Sequence, residues 1–267
     1  MVGIGIFSRK KDEKSPIYTL VLQPSATDGL DTFIVDEAPG QNNATSNIMQ
    51  WGDSIINGTY KCLIKFDLSS IPINAIILSA ELQFTLALNG DQRASVTGNN
   101  IPRILLRDWI ENQVTWDVYK TGAAWQVAGA GGTLDAEQTG IGMSEDYLVT
   151  DVVGAKKSTL LTPRQIQRWT SGQLANYGML ITPLIGTNDC YRVASGNHAN
   201  ADYRPKLTIK YTTSGVSARQ ITFSGDSKSN ENDAWPCLLL NSLRESTNIP
   251  YYENPMRLAV AGYTAAQ

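Results

Sequence analysis

Few residues in this chain are of types that catalyse reactions. Among 267 residues there is one histidine, His198, set in the polar run Ser195-Gly196-Asn197-His198-Ala199-Asn200. Histidine is the commonest general acid–base, yet nothing around His198 has the spacing of a nucleophile elbow, a phosphate loop or a metal set. Its plain reading is a loop residue. The 25 acidic residues leave a carboxylate pair for glycoside hydrolysis open, because spacing along the chain does not fix spacing in space. No motif supports one, and the chain reads as a non-enzyme.

Binding chemistry is better represented. Asp28, Asp31 and Asp36 cluster before and within the first strand, and Asp189 and Asp202 fall in late loops. Hard oxygen ligands carried on loops suit calcium, although Asp is also a usual turn former and no fixed-spacing calcium loop is present. A calcium site on Asp28, Asp31 and Asp36 is therefore an expectation without a motif. Tyr191-Arg192 places a planar ring beside a guanidinium, a pairing that suits an acidic sugar. Trp51, between Met49 and Gly52-Asp53, is a second candidate platform, its relation to Tyr60 left open.

The composition bounds what must position these groups. Hydrophobic residues make up 42% and charged residues 18% of the chain, ordinary for a protein with a buried core. A net charge of −3 supplies no global field for nucleic acid or an anionic membrane, and no apolar run has the length of a membrane span. Cys62, Cys190 and Cys237 are odd in number and widely spaced, so they give neither a disulfide framework nor a metal pair. At the N-terminus a short apolar stretch precedes Arg9-Lys10-Lys11, the reverse of a secretory signal. The reading is that no signal peptide is present.

Period-two alternation dominates from Asp31 onward. Cys62, Ile64 and Phe66 alternate with Lys61 and Lys65, which predicts a strand with one wet face. Leu82, Phe84, Leu86 and Leu88 alternate with Glu81, Gln83 and Thr85, and Asn89-Gly90-Asp91 then supplies a turn. Met179 and Ile181, then Leu207, Ile209 and Tyr211, mark later strands. Thr162-Pro163 predicts the start of one short helix, with Leu161 as a staple, Ile166 and Trp169 on its buried face and Gly172 at its end. The pattern is all-β, a jelly-roll sandwich with one helix. It divides into residues 1–30, a charged tail with a lead-in strand, residues 31–212, the sandwich, and residues 213–267, a polar linker and an arm. The arm carries Trp235, Leu238, Leu239, Leu240, Tyr251 and Tyr252, too few apolar residues to bury themselves.

Four stretches in order carry a family resemblance. They are Phe66-Asp67-Leu68-Ser69-Ser70-Ile71-Pro72, Val114-Thr115-Trp116 with Trp125 beyond, Trp169-Thr170-Ser171-Gly172 running to Asn176-Tyr177-Gly178, and Arg204-Pro205-Lys206-Leu207. Together they resemble the DNRLRE-type jelly-roll family, which is allied to carbohydrate-binding modules, over Asp31 to Tyr211. The resemblance implies that Trp109, Trp116, Trp125 and Trp169 are framework. Trp51 and Trp235 lie outside its pattern.

Relatives of this kind occur in exported surface proteins, polysaccharide-degrading enzymes and virus-encoded structural proteins. With no signal and an aromatic arm, the first expectation is a bacteriophage virion protein: a capsid decoration, head-fibre or tail accessory subunit. It would be made in the host cytoplasm, released by lysis, and assembled through the arm with other virion proteins and with itself, a trimer being the first guess. Such a subunit could also hold host or mucus glycans. The second reading is a free-standing carbohydrate-binding module for an acidic polysaccharide, and the third a polysaccharide lyase or hydrolase.

Overall fold

Alternating apolar and polar residues build strands here, as the sequence implies, and each strand finds its partner through backbone pairing. The computed structural model describes residues 16–23, 25, 30–54, 58–88, 101–144, 151–183 and 190–213. The chain divides into two compact units, Met1–Ser217 and Ala218–Gln267, and every described residue belongs to the first. The arm residues Trp235, Leu238, Leu239, Leu240, Tyr251 and Tyr252 lie outside the described residues, as do Asp28, Asp189 and the turn at Asn89-Gly90-Asp91.

In chain order the strands are β1 (Ile17–Leu22), β2 (Leu30–Val35), β3 (Ile48–Ser54), β4 (Gly58–Lys65), β5 (Ile76–Thr85), β6 (Ile101–Ile104), β7 (Val118–Lys120), β8 (Ala123–Ala124), β9 (Gly142–Ser144), β10 (Lys156–Leu161), β11 (Met179–Thr182), β12 (Cys190–Ala194) and β13 (Lys206–Thr212); one α-helix, α1 (Pro163–Thr170), precedes β11. One sheet runs β1-β13-β5-β10-β9 and the other β12-β3-β4-β11-β6, with β2 also on β4; β7 and β8 pair apart. All the pairings are antiparallel. The lead-in strand expected before Asp31 is β1, which pairs with β13 through Leu20↔Ile209 and Leu22↔Leu207. A bridge between Leu86 and Val193 ties the two sheets together at one edge.

The space between the sheets is filled by Met49, Trp51, Cys62, Ile64, Leu82, Phe84, Tyr191, Val193, Leu207 and Ile209, among others. Each such side chain contributes on the order of 1.5–3 kcal/mol by leaving water. Helix α1 closes one end. Pro163 starts it and Thr162 takes the N-cap position without a side-chain capping bond. Ile166 and Trp169 are buried, and Gly172 follows the helix at φ +73°.

The wet face expected on β4 is not wet. Leu63, between Lys61 and Lys65, is fully buried and belongs to a second core with Ile34, Leu105, Trp109, Val114, Trp125, Ala130, Ala136 and Leu180. The excursion from 105 to 136 folds over the outer face of the sheet and covers it. Asp135 organises that excursion: its carboxylate accepts the N–H groups of Gln126 (2.8 Å), Val127 (3.0 Å) and Gly132 (3.0 Å) and pairs with Arg107 Nε at 3.3 Å. Burial alone would raise its pKa, but these donors outweigh burial and hold it below the ordinary value.

The sequence motifs are framework in this fold. Asp67 accepts from Ser69 N (2.8 Å) and Ser69 Oγ (2.9 Å), turning the chain after Phe66. Asn176 donates to Phe66 O at 2.9 Å and accepts Gly178 N at 3.0 Å. Gly178 stands at φ +83°, and a Cβ there would lie 2.3 Å from Ile64 O, so β11 meets β4 closely only because this residue is glycine. Trp109 Nε1 donates to Tyr177 O and Trp125 Nε1 to Thr115 O. These bonds satisfy indole groups that burial would otherwise leave orphaned.

Candidate functional site

Two of the expected sugar platforms face inward. Trp51 and Tyr191 are register partners on β3 and β12, 1% and 0% exposed, with rings stacked 5.7 Å apart. Trp51 also packs against Phe84 at 5.2 Å. Neither ring offers a face to a ligand, so the platform read on Trp51 and Tyr191 is corrected: both are core. The reason is parity. Alternation on β12 sends Tyr191 and Val193 into the sandwich and Arg192 to the opposite side.

Arg192 points away from the sandwich core. It pairs in register with Gln50, and its Nε donates to Gln50 Oε1 at 3.2 Å. Gln50 also hydrogen-bonds the Tyr60 hydroxyl, so one buried amide holds both a guanidinium and a phenol. Tyr60 is half-buried, and Phe33 lies 6.1 Å from it at 48°. Burial raises the Tyr60 pKa first, the Cys190 thiol adds to that, and the Gln50 bond and Arg192 oppose it. The phenol is therefore neutral at physiological pH, a hydroxyl able to donate and accept. The result is a partly buried aromatic pair, with Phe33 packed on the sandwich core, beside an amide and a cation. The sequence signal for Tyr60 was weak, since nothing in the chain shows which aromatic residue β3 and β12 bring beside Arg192.

A groove of about 620 Å³ lies at the end of the sandwich closed by α1. Phe66, Leu68, Ile71 and Trp169 form apolar walls, and Lys65 and Asp67 supply charge.

The expected calcium set does not assemble. Asp31 lies on β2 opposite Ile64, 3% exposed, and accepts Gly196 N at 2.6 Å. Asp36, past the other end of the same strand, is exposed and accepts Thr59 N at 2.7 Å. Five residues of extended chain set the two roughly 16 Å apart, too far to share one ion. Among the described residues, no group of three or more His, Cys, Asp or Glu side chains converges for a metal. Asp202 is exposed, in a 3-10 turn at Ala201–Tyr203. His198 stacks on Tyr203 at 5.2 Å, and its carbonyl accepts Arg204 Nε at 2.9 Å, which makes it a loop staple.

Lys61 was read as a solvent-facing charge and is not one. Its Nζ donates to Gly129 O at 2.7 Å and sits 5.0 Å over the Trp116 ring. Burial, and then the nearby Arg103, lower its pKa to about 8, with Asp36 opposing. Gly129, at φ +71°, makes room for that ring, since a Cβ there would lie 2.6 Å from Trp116.

Residues 23–121 match the family model of carbohydrate-binding module family 96. Over that stretch the chain is similar to a carbohydrate-binding module. The stretch contains Phe33, Gln50 and Tyr60, while Arg192 arrives from β12 outside it. No curated protein matches the chain.

Proposed function

We propose that this protein is a non-catalytic carbohydrate-binding module that holds an acidic polysaccharide on the Phe33–Gln50–Tyr60–Arg192 patch. The observation that carries the reading is Gln50 bound to both Arg192 and Tyr60. A sugar ring lies against an aromatic face, and a guanidinium meets a uronate or sulfate oxygen through charge-assisted hydrogen bonds. Because Gln50 fixes both groups before the ligand arrives, little side-chain freedom is lost on binding. Similarity to a carbohydrate-binding family over residues 23–121 supports the ligand class, and the order of the four motifs supports membership of the DNRLRE type.

The virion role, its location and its oligomeric arm rest on residues outside the described ones, and no observation adds to them. Glycan binding is therefore the function put forward. Electrophoresis of the full chain through gels containing an acidic or a neutral polysaccharide tests it. The acidic gel retards the wild type, and retardation weakens with added salt and on Arg192→Ala. Equal mobility of wild type and Arg192→Ala in every acidic gel would overturn the assignment.

A further inference from the structure

The groove beside α1 has no part in the patch above, and its chemistry differs. It is lined by the turn after β4, by Leu30 at the start of β2, and by the last turn of α1 with Asn176. Its volume of about 620 Å³ is within the range of small-molecule sites. Trp169 lines it while only 7% exposed, and its Nε1 is buried with no hydrogen-bond acceptor. Buried polar groups are nearly always paired, and this indole N–H has no acceptor among the described residues, which makes its signal a sensitive reporter of what happens in the groove. The remaining polar groups, Lys65, Asp67, Ser69 and Thr170, stand around apolar walls.

Lys65 and Asp67 decide the ligand's charge. Asp67 is exposed, and the Ser69 backbone and hydroxyl bonds, with Lys65 nearby, hold its carboxyl below the ordinary pKa. It is therefore an anion at neutral pH. An anionic sugar would meet this carboxylate. A neutral sugar instead offers hydroxyl donors to Asp67 and hydroxyl or ring oxygens to Lys65. Each Asp67 oxygen accepts one bond from Ser69, and a carboxylate oxygen can accept a second.

We infer that this groove is a second sugar subsite, taking a neutral, hydroxyl-rich pyranose between Lys65 and Asp67, with Trp169 in the wall behind it. The inference rests on the glycan-binding reading above and adds a separate subsite of a different ligand class. The protein then holds an acidic segment on one face and a neutral residue at one end, which suits a mixed polysaccharide.

The test is a titration of the full, isotopically labelled chain with cellohexaose, mannohexaose and maltohexaose, followed by NMR, beside a uronate hexamer as counter-probe. The expected result is that a neutral hexamer shifts the Trp169 indole N–H signal. Lys65→Gln and Asp67→Asn, both at positions that do not fill the core, each weaken that binding about tenfold, while Arg192→Ala leaves it unchanged. The inference is overturned if no neutral hexamer moves the Trp169 signal, or if Arg192→Ala abolishes the neutral binding. If the uronate hexamer still binds in that case, the acidic patch stands alone. If no sugar binds, both readings fall.

Discussion

Arg192, Tyr60 and Asp31 show what single residues contribute. Truncating one partner of a preorganised charged contact costs about 2 kcal/mol or more, so Arg192→Ala should lower uronate affinity at least tenfold. Tyr60→Ala should cost a similar amount, and Tyr60→Phe much less, because the ring remains; calorimetric titration of the three variants checks the order. Asp31 makes a pH prediction. Burial above all, with some repulsion from Glu111, raises its pKa to about 6 against the Gly196 bond. Below an ordinary pKa near 3.8 both folded and unfolded chains hold the proton, and nothing is lost. As pH rises from there to about 6 the unfolded chain gives up its proton first, so stability falls by about 3 kcal/mol. Asp31→Asn keeps an acceptor for Gly196 N and should therefore stabilise the protein at pH 7 and change little at pH 4. Urea denaturation at both pH values reads the difference, and destabilisation at pH 7 would contradict this account of Asp31.

At the scale of elements, β4 and the layer over it depend on a few backbone acceptors and one glycine. Gly178→Ala drives a methyl into Ile64 O and imposes a left-handed φ on alanine, so a loss of about 2–4 kcal/mol is expected on thermal unfolding. Asp135→Asn replaces an acceptor of four donors with a group that is itself half donor. About 3 kcal/mol should be lost, and the Trp125 fluorescence environment should change with it. Strand existence was legible from alternation at β4, β5, β11 and β13, and the Pro163 helix from its start signal. The second core was not legible. Leu63 lies between two lysines, and only the fold-back of 105–136 tells a partly covered lysine such as Lys61 from a fully solvated one. Of the patch proposed above, the sequence offered only Arg192, as a cation suited to acidic sugar; β-strand parity places Tyr191 inward, and Tyr60 comes from another strand.

The described residues form an all-β sandwich with one short helix, and the likeness to a carbohydrate-binding family covers residues 23–121, while Arg192 and Trp169 come from later in the chain. Whole-chain composition carries no ligand field, at a net charge of −3, so the proposed recognition of an anionic glycan must be local, and moderate salt should weaken it. The most direct measurement is calorimetric titration of the full chain with a uronate hexamer, for wild type and Arg192→Gln. The account predicts a saturable isotherm for the wild type and at least a tenfold weaker one for the variant, with equal thermal stability. A wild-type titration without binding heat across several temperatures, or the same affinity in both proteins, would contradict it.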